Sequence, residues 1–240
     1  MRSSISTSAY VPRRRYQGKV EPVIAARISL VAAFAFILIS QGRAEDELPI
    51  PADEYVYCTV CHGVQLMGNS NIKAPRLSGM EAWYVENQLN AFKKGWRGKH
   101  ESDVAGIDMQ PMAAALTPLQ IKEVAAFVSS TRSDAPPSTI DGDAEKGRSY
   151  YSTCAACHGV NGEGNVALGS PALTGLNDWY LITQLEHFRD GARGGAPGDT
   201  YGMQMRASAR LLPDDVAIMD VVSYISTLQD QKQKKQGTTQ

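Results

Sequence analysis

Cys58-Thr-Val-Cys61-His62-Gly63 and Cys154-Ala-Ala-Cys157-His158-Gly159 hold all four cysteines of the 240-residue chain. A Cys-x-x-Cys pair followed at once by histidine is the attachment signature of a c-type haem. The two thiols add across the haem vinyl groups, and the adjacent histidine is placed to bind the iron. Rival uses of such pairs fit less well. A thioredoxin-like pair sits near a strand–helix pattern and has no need of the histidine. A structural zinc site would draw four ligands from both pairs at a spacing of roughly 15–20 residues. Here the pairs begin at 58 and 154, which suits two separate sites. Disulfides in an exported protein are the remaining alternative. Two covalently bound haem c groups in one short chain point to electron transfer.

Outward from these motifs the chain repeats itself. Adding 96 to Cys58 reaches Cys154, and the register then holds without a gap. Pro75 falls on Pro171, Leu77 on Leu173, Trp83-Tyr84 on Trp179-Tyr180, Gln88-Leu89 on Gln184-Leu185, Phe92 on Phe188 and Arg97-Gly98 on Arg193-Gly194. Over 58–109, 21 of 52 positions are identical, where average residue usage would give roughly three. The chain is a tandem duplication with one haem per half.

The register also selects the second iron ligand. A methionine thioether is the usual partner of histidine where a covalent haem is a pure carrier, and it raises the potential. Met109 and Met112 are available in the first half, Met203 and Met205 in the second. Only Met109 and Met205 lie at one distance from their cysteines. The expected axial ligands are therefore His62 and Met109, and His158 and Met205, with Met112 and Met203 in reserve. Met67, Met80 and Met219 read as packing residues. His100 and His187 align with Ala196 and Ala91, outside the repeat, and read as surface or satisfied helix residues.

Residues 1–44 are basic, with seven arginines and lysines against Glu21. The apolar run 28–42 follows, then Arg43-Ala44 and the acidic stretch Glu45-Asp46-Glu47. This is the pattern of a secretory signal, and an uncleaved anchor is the alternative. Without the segment the chain is net acidic, which argues against nucleic-acid binding. The expected organisation is a signal peptide at 1–44, one haem domain at 45–131, a proline-containing linker at 132–142, a second haem domain at 143–229 and a disordered polar tail at 230–240.

Each half reads as all-α, with about three main helices around its haem. The first starts at Asp141–Asp143 in the second half and runs into Cys154. The next covers about 80–94 and 176–190, where aromatic and leucine positions recur at helical spacing. The last starts near Thr117-Pro118 and near Pro213-Asp214. Loops rich in Gly, Pro and Asn lie between cysteines and methionine and suit a chain wrapping a flat macrocycle. Arg97 and Arg193 read either as partners of haem propionates or as ordinary exposed arginines. The four aromatics Trp83, Tyr84, Trp179 and Tyr180 read as pocket packing, and Trp96 has no counterpart in the repeat.

These motifs, with Pro75-Arg-Leu-Ser-Gly, Pro171-Ala-Leu-Thr-Gly and the twice-used Trp-Tyr-x₃-Gln-Leu, resemble the diheme cytochromes c of the cytochrome c4 type. The likeness covers about residues 50–230. It implies tandem class I cytochrome c domains and a periplasmic carrier, soluble or membrane-associated. It also implies that the carbonyls of Pro75 and Pro171 accept the second ring proton of the ligating histidines, fixing their orientation. The expected partners are redox proteins: a quinol-oxidising complex or dehydrogenase as donor, a terminal oxidase as acceptor. The reading is a carrier of single electrons in a respiratory chain, not an enzyme. The alternative is the electron-transfer subunit of a periplasmic dehydrogenase complex. A diheme enzyme would need an exchangeable iron site, against which the paired methionines argue. Gly147 and Tyr151 look like the family's pair for a close crossing of first and last helices. The first half has Pro51 and Tyr55 instead. That puts its packing on Phe127 in doubt and predicts the looser domain.

Overall fold

The computed structural model describes residues 55–237, with side chains to Gln231. The basic apolar segment 1–44, the start of the first helix near Pro51 and residues 238–240 lie outside the described residues. The described part is helical. Its α-helices are α1 (Val56–His62), α2 (Ala82–Lys93), α3 (Val104–Ala115) and α4 (Pro118–Ser130), then α5 (Ala144–His158), α6 (Asp178–Asp190), α7 (Thr200–Ala209) and α8 (Asp215–Gly237). Among the described residues there is no strand, only the isolated bridges Asn69–Ala74 and Asn165–Ser170.

Local chemistry explains where the helices begin. Thr117 and Gln120 form a reciprocal capping box, with Pro118 at the first helical position of α4, where its missing N–H costs nothing. Asp143 accepts from the amides of Glu145 and Lys146 and so starts α5, satisfying donors that have no partner inside the helix. Apolar residues then recur at helical spacing. Val85, Leu89 and Phe92 are buried on α2, and Ile121, Val124, Ala125 and Val128 on α4. Leu181, Leu185 and Phe188 do the same on α6. Each half closes its own apolar cluster from these faces.

The crossing of α5 and α8 depends on Gly147, where a Cβ would collide with the Asp220 carbonyl oxygen. One turn on, Tyr151 packs against Tyr224 with centroids 5.3 Å apart and donates to the Gly159 carbonyl at 2.7 Å. In the first half the short α1 packs through Tyr55. That ring stacks on Phe127 at 5.9 Å, and its hydroxyl donates to Glu123 at 2.9 Å. The packing doubted from the missing glycine is thus made, by an aromatic stack.

Two features differ from the expected outline. Among the described residues each half has four α-helices, because α3 and α7 occupy the stretches around the methionines that were expected to be loops. Asp103 and Asp199 cap them by accepting from the amides of Gly106 and Gly202. A Cβ at either glycine would strike that carboxylate. The second difference is at the C-terminus, where α8 continues to Gly237 through residues expected to form a tail. Gln, Lys and Asp are tolerated in helices, and no breaker precedes Gly237.

Candidate haem sites

The Cys-x-x-Cys-His motifs end α1 and α5, and Gly63 and Gly159 stop both helices with φ near +80°. The four cysteines carry no disulfide. Cys58 and Cys154 turn inward against their cores, whereas Cys61 and Cys157 are exposed. Burial pushes the Cys58 and Cys154 thiols up.

His62 and His158 are both buried, at 7% exposure. Nδ1 of His62 lies 2.6 Å from the Pro75 carbonyl oxygen, and Nδ1 of His158 lies 2.8 Å from that of Pro171. A carbonyl oxygen only accepts, so each Nδ1 carries the proton. The lone pair is then left on Nε2. Burial lowers both pKa values, opposed by the carbonyl bond, and the neutral ring with its free Nε2 lone pair is the form that coordinates a metal.

In the second half Cys154, Cys157, His158, Pro171 and Met205 line one cavity of about 410 Å³. Leu181, Leu185 and Phe188 of α6 and Val221 and Ile225 of α8 give it apolar walls. Two thiols, a protonation-fixed imidazole, a thioether and an apolar wall are the donor set and setting that a covalent haem requires. The residues present fit the group. In the first half Cys58 and Met109 pack on one cluster with Leu77 and Phe127. The reserve methionines, Met112 and Met203, are 49% and 45% exposed.

The two arginines are not ordinary exposed residues: both are buried and both line the second cavity. Arg97 and Arg193 are 7% and 6% exposed and meet where the halves join. Arg97 donates to Gln88 at 2.9 Å and across to Gln184 at 3.3 Å. Arg193 donates to Gln184 at 2.6 Å and across to Gln88 at 3.0 Å. Each guanidinium also lies over a phenylalanine of its own half, Phe92 or Phe188. The exchange gives the junction a local two-fold character. Burial, with Tyr180 alongside, pushes the Tyr84 phenol up. Sequence reading missed this junction, although Gln88, Arg97 and their repeat mates were the signal.

Further contacts cross the junction, among them the Ala172 amide donating to Glu81 at 3.2 Å, the repeat mate of the Arg76 amide bond to Asn177. Arg76 donates to the Gly175 carbonyl at 2.8 Å and its amide to Asn177 at 2.7 Å. His187, read as an ordinary helix residue, has Nδ1 3.6 Å from Asp103, within ion-pair but beyond hydrogen-bond reach.

A duplicated helical fold with two thiol pairs, each followed by a buried, carbonyl-bound histidine, defines a diheme c-type cytochrome, a carrier of electrons. Its cofactors are two covalently bound haem c groups. The cytochrome c family model matches residues 55–132 and 144–229, and the chain belongs to that family. It is 33% identical over 217 residues to the thiosulfate dehydrogenase electron acceptor of Stutzerimonas stutzeri (strain A1501), covering 83% of this chain and 94% of that protein. It is also 33% identical over 171 residues to cytochrome c4 of Thiocapsa roseopersicina, covering 67% and 82%. The crystal structure of reduced recombinant cytochrome c4 from Pseudomonas stutzeri matches with a TM-score of 0.57 at 28% identity, covering 72% of this chain and 94% of that one.

Proposed function

We propose that each haem iron is held between imidazole and thioether, by His62 with Met109 and by His158 with Met205, and that the protein shuttles single electrons in the periplasm without catalysing a reaction of its own. A haem held there would supply one-electron chemistry. Everything else falls to the chain. Pro75 and Pro171 orient the imidazoles, the cysteines anchor the macrocycle, and the apolar walls limit water, which sets the potential. The observation that carries the reading is the convergence of Cys154, Cys157, His158 and Met205 on one apolar cavity, with the repeat extending it to the first half. Residues 1–44 serve as the export signal, cleaved or kept as an anchor. Among the described residues no helix is long and apolar enough to cross a membrane. Donor and acceptor are redox proteins of a respiratory chain.

A second reading has its own support. The relative from Stutzerimonas stutzeri is named an electron acceptor of thiosulfate dehydrogenase, and the alignment spans 94% of it. In that setting the chain would accept electrons directly from a periplasmic dehydrogenase. Co-purification with a larger catalytic subunit would favour this arrangement over a free carrier.

The ligand assignment is tested by absorption spectra of haem-loaded Met109→Ala and Met205→Ala. Each variant is expected to lose half of the thioether–iron charge-transfer band of the oxidised protein. An unchanged band would move the assignment to Met112 or Met203.

A further inference from the structure

We propose that each half lends the other a wall of opposite electrical character, and that Lys94 and Trp96 of the first half hold the second haem at the higher reduction potential. The inference rests on the haem reading above. The cavity around Cys154, His158 and Met205 is closed partly by first-half residues, including Asn87, Asn90, Ala91, Lys94 and Trp96. Trp96 reaches across the junction, since a Cβ on Gly198 would lie 3.4 Å from its ring. Lys94 Nζ sits 4.3 Å from the same ring centroid, a cation–π contact that keeps the ammonium on this wall.

The repeat mates of those five residues are Thr183, Glu186, His187, Asp190 and Ala192. Two observations set them against the first site. The glutamine–arginine bonds at the junction are exchanged reciprocally. Ala91 and Asp199 both line the second cavity, and their mates His187 and Asp103 approach to 3.6 Å. The same crossing is therefore made from both sides, with different residues.

The second cavity is lined by an ammonium and an indole, and the repeat sets two carboxylates and a methyl group at the matching positions toward the first. The ferric state carries one more positive charge than the ferrous. A nearby cation therefore favours reduction, and a nearby carboxylate opposes it. Trp96 adds to this by excluding water, since solvent exposure is one of the levers on haem potential. Arg206, beside Met205 where the first half has Gln110, has the same sign. Arg189 offsets both carboxylates in part, Asp190 at 3.3 Å and Glu186 through its charge. The two haem domains, 45–131 and 143–229, each carry a formal net charge of −4, so overall charge does not order the sites. Charges beyond a Debye length, about 10 Å at 0.1 M salt, are screened, so the wall decides. Transfer from first site to second is then downhill. One iron goes from ferrous to ferric and the other from ferric to ferrous, with no proton or ligand exchanged.

Spectroelectrochemical titration of the diheme protein at 0.1 M salt reads both midpoints. The wild type is expected to show two resolved waves. Lys94→Gln, at an exposed position, is expected to lower the upper wave and leave the lower one in place. Its effect on the partition of an electron between the irons is about threefold, the size of one half-screened surface charge. At 59 mV per tenfold for one electron that is about 28 mV. Asp190→Asn is expected to raise the lower wave by a similar amount without moving the upper, and Trp96→Ala to lower the upper. A single wave in the wild type, a Lys94→Gln shift confined to the lower wave, or no shift in either would overturn the proposal. Failure of the axial reading would appear separately, as a missing thioether–iron band in the wild type.

Discussion

Replacing Gly147 by alanine probes the tightest contact in the fold. The added methyl would meet the Asp220 carbonyl oxygen well inside van der Waals distance, and the nearest atom of another residue is Tyr224 Cβ at 3.0 Å. Neither atom is the free end of a flexible side chain, so the α5–α8 crossing must open. Overpacking of this kind costs about 1–3 kcal/mol. Here the upper half of that range applies, because the obstacle is backbone. Alanine returns about 1 kcal/mol through its better helix propensity. The net expectation is a loss of about 1–2 kcal/mol, or some 4–16 °C in the melting of a domain this size. Thermal and urea unfolding of the haem-loaded protein, followed by far-UV circular dichroism and haem absorbance, would report it. The transition of the second half should move, and that of the first should stay. An unchanged or raised midpoint would mean that propensity alone acts at 147 and that the two helices do not touch there.

Three further outcomes follow from the junction and the pockets. Gln184→Ala removes an acceptor shared by Arg97 and Arg193. Leaving buried charged donors short of a partner costs about 1–3 kcal/mol, so the unfolding transitions of both halves should fall in calorimetry. Burial holds the His187 pKa below its ordinary value despite Asp103 nearby. A depressed histidine binds its proton less well folded than unfolded. Stability should therefore be intact above about pH 6.5, the unfolded value, and fall as pH drops through the folded value. His187→Gln should flatten that part of the stability–pH curve, and an unchanged slope would assign the acid sensitivity elsewhere. Pro75 and Pro171 act through carbonyls, so Pro75→Ala should leave both haems attached and the Met109 band in place, read by mass and absorption.

Much of the fold was legible because its signals are local or repeated. Thr117-Pro118 and Asp143 marked helix starts by capping chemistry, and Val85, Leu89 and Phe92 marked a face by spacing. The repeat then transferred each reading from one half to the other. Helices α3 and α7 escaped notice because glycine lies near each start and Pro111 interrupts the first, which lowers the local helical signal. Their signature, aspartate followed three residues later by glycine, was present twice. The Arg97–Gln184 and Arg193–Gln88 exchange was invisible for another reason. Pairing across a junction depends on how two domains dock, and no periodicity within either domain encodes that. The stack of Tyr55 on Phe127 is the counterpart of Tyr151 on Tyr224, and it forms without the glycine that accompanies the second.

Exposure of the fully reduced diheme protein to carbon monoxide tests most directly whether both irons are closed between imidazole and thioether. The account predicts an unchanged spectrum in the resting wild type, and carbon monoxide uptake at one iron in Met109→Ala and in Met205→Ala. Uptake by either iron of the wild type would contradict it.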